Sequence, residues 1–325
     1  MTSVPSVPSV TDVFLARSRI RTLIPRTPLR RSEWLSEIAG RDVFLKLESL
    51  QPTGSFKIRG ALNAALCHVE RHGAAGPPIV TASAGNHGRG LAYATESLGL
   101  RLTVYVPRDA PRAKRDAIAR HGVELKLVAG YDEAEQAAKR HAASGDAIYI
   151  SPYANADVIA GAGTMALEIL EDLPQVATIA VPVGGGGLAS GVGIVARAVG
   201  RPRVIGVEAA ASTAFTTSLA AGRVTPIAPG PSIADGLTGN LDPDSMTFEL
   251  VRDTVQRIVT VSEEELARAV RGLAAYDHLI VEGAGGAAIA AIQAGKCDGD
   301  RGPTVAVVSG ANIDLDRLVQ VLIRD

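Results

Sequence analysis

The sequence predicts an α/β fold built on parallel sheets covered by helices on both faces. Short runs rich in valine and isoleucine recur along the chain, stretches of helical period lie between them, and several apolar runs end in glycine-rich turns that open a helix. With 325 residues, 46% hydrophobic and 21% charged, the chain can fill a substantial core in one large domain or two smaller ones.

The opening MTSVPSVPSVTDV has no basic region and no continuous apolar run, so it reads as a mobile tail rather than a signal peptide. Buried strands are expected at 42–49, 78–83, 102–107, 124–130, 147–151, 178–184, 203–209 and 304–310. Helices are expected between them at 57–72, 88–99, 112–122, 131–145, 158–173 and 262–276. The uncharged stretch from Val176 to Ala196 is long enough to consider as a membrane span. Pro182 and four successive glycines break it, and it reads instead as strand, glycine loop and buried helix. Only the region from Ala220 to Phe248 lacks a clear period, as a lid or substrate loop would.

Charge and cysteine usage narrow the function classes. Lysine and arginine number 33 against 34 acids, so no basic field draws the chain to nucleic acid or to an anionic membrane. Cys67 and Cys297 are too few for a disulfide framework and have no CxxC partner, which points to buried thiols in the cytosol.

Three turns are candidate sites. In PVGGGGLASG (182–191) successive glycines can aim backbone N–H groups at an anion, and the helix that follows adds its positive end, which suits a phosphate. A plain strand-to-helix turn needs only one or two glycines. The run is no dinucleotide fingerprint, yet Glu208 on the next strand keeps a nucleotide-binding alternative open. SAGNHGRG (83–90) suits a carboxylate, with Asn86 adding an amide and His87 lying in the turn; Asn and Gly also simply start helices. In VSGANID (308–314) Ser309 stands at a strand end, where its hydroxyl could face a ring nitrogen or equally cap the last helix.

Lys57, in TGSFKIRGA (53–61), begins a predicted helix, where the dipole disfavours a cation and helps keep an amine neutral and nucleophilic. A solvated surface amine is the ordinary alternative. His68, His72, His121 and His141 lie among charges on predicted helices and read as solvated, and no pair has zinc-site spacing.

Taken together, TPL (27–29), LKLESLQPTGSFKIRGA (45–61), TASAGNHGRGLA (81–92), DVIAGAGTMALEI (157–169), PVGGGGL (182–188), IADGL (233–237), VEGAGG (281–286) and VVSGANID (307–314) resemble the fold-type II pyridoxal-phosphate enzymes of the serine/threonine dehydratase and serine racemase family. The resemblance is colinear over nearly the whole chain. It implies a tryptophan synthase β-like fold of two open, twisted parallel-sheet domains with the cofactor between them. Residues 1–66 and 152–325 would form the large domain, and residues 67–151 a small inserted domain that closes over the substrate.

The resemblance also implies roles. Lys57 would form the internal aldimine with pyridoxal 5'-phosphate, with Phe56 packed on the pyridine ring. Gly184, Gly185, Gly186, Gly187 and Leu188 would hold the phosphate, Asn86 the phenolic oxygen, and Ser309 would face the ring nitrogen, with Glu282 also at the cofactor. Ser83, Ala84, Gly85, Asn86 and His87 would bind the substrate carboxylate. The implied activity is β-elimination from a hydroxy amino acid such as L-threonine or L-serine, giving a 2-oxo acid and ammonia, in a cytoplasmic homodimer. The freed Lys57 amine would remove the α-proton, and the cofactor would be the electron sink.

Three departures bear on that activity. Racemases of the family carry a second serine where this chain has Ala84, which ranks racemisation below elimination. Members that bind a divalent cation pair a glutamate with a nearby aspartate, and here Glu208 is followed by Ala214 instead, so no metal is expected. Ala162 in AGAGT and the segment SPYAN (151–155) are unusual, which leaves room for a modified substrate such as 3-hydroxyaspartate. The chain ends about one helix after SGANID, too soon for a C-terminal regulatory domain. A non-catalytic phosphate- or nucleotide-binding protein is the distant alternative.

Overall fold

The computed structural model describes residues 7–299 and 302–323. The first six residues of the expected tail lie outside the described residues. The rest of it is not tail: Ser9 accepts the N–H of Asp12 and the Asp12 carboxylate accepts the N–H of Ser9, a reciprocal cap that starts helix α1 (Val10–Ile20). Edge strand β1 (Leu29–Arg31), helix α2 (Glu33–Ala39) and strand β2 (Val43–Leu47) lead into α3 (Lys57–His72). Strands β3 (Ile79–Ala82), β4 (Leu102–Pro107), β5 (Glu124–Val128) and β6 (Ile148–Tyr149) then alternate with helices α4 (Asn86–Leu98), α5 (Arg112–Ala119) and α6 (Tyr131–Ala143). The chain continues through α7 (Ala156–Asp172), β7 (Thr178–Pro182), α8 (Gly187–Ala198), β8 (Arg203–Ala209), α9 (Ala214–Ala221) and α10 (Met246–Thr254). It closes with β9 (Arg257–Val261), α11 (Glu263–Tyr276), α12 (Gly283–Gln293), β10 (Thr304–Val308) and α13 (Leu315–Ile323).

The strands sort into two sheets. Six form the order β1-β2-β10-β7-β8-β9, parallel throughout except for β1, and four form the parallel order β5-β4-β3-β6. Alternation along the central strands fills two cores. Ile179, Val181, Val305 and Val307 face α1, α7, α8 and α10, whereas Ala180, Ala306 and Val308 face α2, α11, α12 and α13. Both faces are covered, which is why β7 and β10 read as unbroken apolar runs. Pairing also explains what the period concealed. Helix α12, GAGGAAIAAIQ, has no polar face to mark it, because it is buried all round.

The uncharged stretch from Val176 to Ala196 forms β7, a loop and α8, as its glycines and Pro182 predict, and among the described residues no helix is long and apolar enough to cross a membrane. His68 is not solvated as expected. It is 4% exposed, because the face of α3 that carries it packs inward. Cys67 and Cys297 are buried free thiols.

Candidate active site

Adjacent strands deliver the pieces of the site. Strands β2, β10 and β7 are neighbours and parallel, so their carboxyl ends open on the same edge. From that edge β2 leads to Lys57, β10 to Ser309 and β7 to the glycine loop. The first two segments are joined by main-chain contacts: Ser55 bridges Gly310, and the Phe56 N–H donates to the Ser309 carbonyl at 3.0 Å. In the other sheet, the carboxyl end of β3 leads to Ser83–His87.

Lys57 is the first residue of α3, with Phe56 as the capping residue and its ring centroid 5.3 Å from Nζ. The Nζ donates to the Pro152 carbonyl at 2.8 Å. Burial lowers its pKa to about 8, and the Glu282 carboxylate opposes that shift. Burial, more than the helix dipole invoked from sequence, is therefore what favours the neutral amine. Two residues on, Arg59 anchors the same turn. It is 1% exposed and makes paired bonds of 2.7 and 2.8 Å to Glu48 and of 2.7 and 2.8 Å to Glu168, with Thr164 at 3.2 Å. Lys46 completes the buried cluster, donating to Glu168 at 2.6 Å and to the Thr27 carbonyl at 2.7 Å. All the charges are matched, two and two, as burial demands.

The glycine loop is shaped by its neighbours. Gly186 has φ +84°, a left-handed value that only glycine adopts freely, and a Cβ there would stand 2.4 Å from the Phe215 ring. Tyr153 presses on Gly185, where a Cβ would stand 2.3 Å from the ring, and Thr247 Oγ1 donates to the Gly185 carbonyl at 2.8 Å. Gly186 caps α8, so the N–H groups of Gly187 and Leu188 fall in a first turn that has no intrahelical acceptors for them.

Across the cleft, α4 begins at Asn86. The Asn86 amide donates to Glu282 at 2.7 Å and its oxygen accepts from Asn312 at 2.6 Å, while Arg89 donates to the oxygen of Asn312. Burial, with Asp235 close by, pushes the Glu282 carboxyl up to about 7 despite the Asn86 hydrogen bond. His87 is 2% exposed, with no well-formed hydrogen bond to either ring nitrogen, and burial together with the nearby Lys57 lowers its pKa to about 3. Its imidazole is therefore neutral. Ala84 is 1% exposed and packs in the apolar core of the small sheet.

Ser309 does not cap the last helix, which begins six residues later at Leu315. It is 4% exposed, and its hydroxyl donates to the Ala284 carbonyl at 3.3 Å. Glu208 is hydrogen-bonded within the protein itself. Its carboxylate caps α9, accepting the N–H groups of Phe215 and Thr216 at 2.7 and 3.0 Å and the Thr216 hydroxyl at 2.7 Å. Among the described residues no cluster of three or more His, Cys, Asp or Glu could hold a metal ion. At the mouth of the cleft lies a cavity of about 230 Å³ lined by Glu282, Asn312, Lys114, Asp235, Tyr131 and Arg317, among others. Lys114 of α5 and Asp235 meet there at 2.5 Å. Asp235 lies in the IADGL motif, but its pairing with Lys114 carries no signal in the chain until the fold brings the two together.

Residues 20–310 match the family model described as pyridoxal-phosphate dependent enzyme. The chain belongs to this family. It is 39% identical over 315 residues to the L-threonine ammonia-lyase of Thermotoga maritima, covering 96% of this chain and 77% of that one. It is 35% identical over 319 residues to the L-threonine dehydratase catabolic TdcB of Escherichia coli K12, covering 96% and 95%. The structure of maize serine racemase superposes with a TM-score of 0.90 at 30% identity, covering 97% of each chain. The fold is accordingly that of the fold-type II pyridoxal-phosphate enzymes. The residues present fit the coenzyme: a side-chain-free cradle at a helix start, an amine whose pKa is lowered, and a buried neutral hydroxyl lie around one cleft.

Proposed function

We propose that the chain catalyses β-elimination from a β-hydroxy amino acid such as L-threonine or L-serine, releasing a 2-oxo acid and ammonia. The observation that carries this reading is the Lys57 amine, held at the Pro152 carbonyl with its pKa lowered to about 8 beside the glycine cradle. The L-threonine ammonia-lyase and threonine dehydratase relatives support the reaction class.

Pyridoxal phosphate, when bound, supplies the electron sink for the pair left as the Cα–H bond breaks. Lys57 Nζ would hold the coenzyme and, as a buried amine with a lowered pKa, would serve as the base for the Cα proton. Backbone N–H groups from Gly184 to Leu188 hold the phosphate at the start of α8. Asn86 keeps one amide hydrogen after donating to Glu282 and would offer it to the coenzyme. The turn Ser83–His87 receives the substrate carboxylate, and Phe56 and Ser309 border the ring. Ser309 would offer the ring nitrogen a neutral hydroxyl and not a carboxylate, which supports elimination. Ala84 offers no acid–base group, which supports elimination over racemisation. Closure of the 67–151 unit belongs to the same reading, supported by the pairs Lys114–Asp235 and Lys139–Asp242 between that unit and the 235–242 loop. So does a cytosolic homodimer, which sedimentation of the purified protein tests.

The test is oxo-acid release across a panel of β-hydroxy amino acids, with Lys57→Ala as control. Oxo acid from wild type and none from the variant is the expected result. Turnover retained in Lys57→Ala sinks the mechanism, D-serine without oxo acid points to a racemase, and a colourless protein with nothing for borohydride to trap points to non-catalytic phosphate binding.

A further inference from the structure

The SPYAN segment stands at a junction that the elimination chemistry does not explain. The glycine loop has no side chains of its own, so its shape is imposed from outside, and Tyr153 bears on two of its four glycines, Gly185 and Gly187. A Cβ on Gly185 would lie 2.3 Å from Cγ of the Tyr153 ring, and one on Gly187 would lie 2.9 Å from the Tyr153 carbonyl oxygen. The Tyr153 hydroxyl accepts the Asp242 N–H at 3.2 Å. The Asp242 carboxylate accepts from Lys139 Nζ of α6 at 2.6 Å. Lys139 is braced in turn by Glu135, one turn earlier at 3.0 Å, and lies over the Tyr149 ring. Burial and the neighbouring Glu135 and Asp242 carboxylates raise the pKa of Tyr153, so the hydroxyl stays neutral. A continuous path of contacts thus runs from α6, beside the four-stranded sheet, to the loop that opens α8.

We propose that Tyr153 is a positioning residue for the cofactor's phosphate, and that Lys139 steadies the phosphate loop through Asp242 and Tyr153. The inference rests on the reading of Gly184–Gly187 as the phosphate site. A loop held in its binding shape spends less free energy on ordering when the anion arrives, so loosening its brace weakens phosphate binding in particular. Ligands that lack the phosphate gain nothing from the brace.

The experiment strips the protein of coenzyme and measures binding of pyridoxal phosphate, pyridoxal and inorganic phosphate to wild type, Tyr153→Phe and Lys139→Ala, by calorimetry and by growth of the visible band. Tyr153→Phe is expected to weaken pyridoxal phosphate and inorganic phosphate about 3- to 10-fold, the worth of one neutral hydrogen bond. Lys139→Ala is expected to weaken both about 2- to 5-fold, as suits a half-exposed ion pair. Pyridoxal affinity stays unchanged in both variants, and the double variant loses less than the product of the two single effects. Unchanged phosphate binding in either variant overturns the proposal. So do equal losses for pyridoxal and pyridoxal phosphate, the mark of a merely structural tyrosine. Failure of the wild type itself to bind pyridoxal phosphate refutes the underlying assignment of the loop instead.

Discussion

Lys57 Nζ donates to the carbonyl oxygen of Pro152 at 2.8 Å, and the next residue, Tyr153, presses on the glycine loop. Two adjacent residues thereby hold the amine and the anion cradle in a fixed relation. That relation makes the protonation of Lys57 measurable through the coenzyme. Attack on the aldehyde needs the neutral amine, so the rate at which stripped protein regains its visible band is expected to rise ~10-fold per pH unit and level off near pH 8. A rate still climbing at pH 10 is the behaviour of an ordinary lysine and contradicts the lowered pKa. The sign for stability follows: unfolded chains take up this proton at higher pH than the fold does. The stripped protein therefore loses stability as pH falls from the usual lysine range to about 8.

Glu282 titrates the other way round. Its carboxyl is pushed up to about 7, so the fold favours the protonated form, and this contribution is full below the ordinary carboxylate range and lost as pH rises through about 7. Glu282→Gln keeps an oxygen for the Asn86 amide and carries no charge. The melting temperature of the stripped variant should therefore gain on wild type between pH 5 and 8, and parallel melting curves for the two would refute the assignment.

Glu48 is fully buried against Arg59, with Lys46 alongside. Glu48→Gln leaves that pair of cations facing Glu168 alone, which costs about 3–5 kcal/mol when a buried ion pair is broken. Urea unfolding measures it, and a loss below about 1 kcal/mol, the value of a surface pair, would show that the cluster does not anchor α3.

Gly185→Ala drives a methyl into the Tyr153 ring, so the loop or the ring must shift at a cost of about 1–3 kcal/mol, with weaker pyridoxal phosphate binding. Gly130→Ala is the matched control, since a Cβ there meets nothing within 4 Å and its φ is not left-handed. Equal stability and equal coenzyme affinity in the two variants would contradict the close packing at Gly185.

Some elements were legible in the chain and others were not, for identifiable reasons. Strands β7 and β10 announced themselves because burial on both faces demands uninterrupted apolar runs. Lys57, Asn86, Ser309 and the four glycines could be singled out because each sits in a strand-to-helix turn or at the helix start that follows it, where backbone chemistry restricts residue choice. Helix α12 was illegible for want of a polar face, and α1 because its capping box hides in a stretch that resembles a tail. The capping role of Glu208 was not legible, because an acid on a strand looks the same whether it binds a ligand or caps α9.

Local order along the chain determined the α/β class, the strand-to-helix turns and the candidate residues within them, because periodicity and glycine placement are properties of neighbouring residues. Only tertiary structure decided how those residues act on one another. The order β2-β10-β7 brings three turns to one edge, burial sets the Lys57 and Glu282 pKa values, and Tyr153 meets the glycine loop across 32 residues of chain. Desolvation and contact depend on what surrounds a group in space, and that information appears only when distant segments pack.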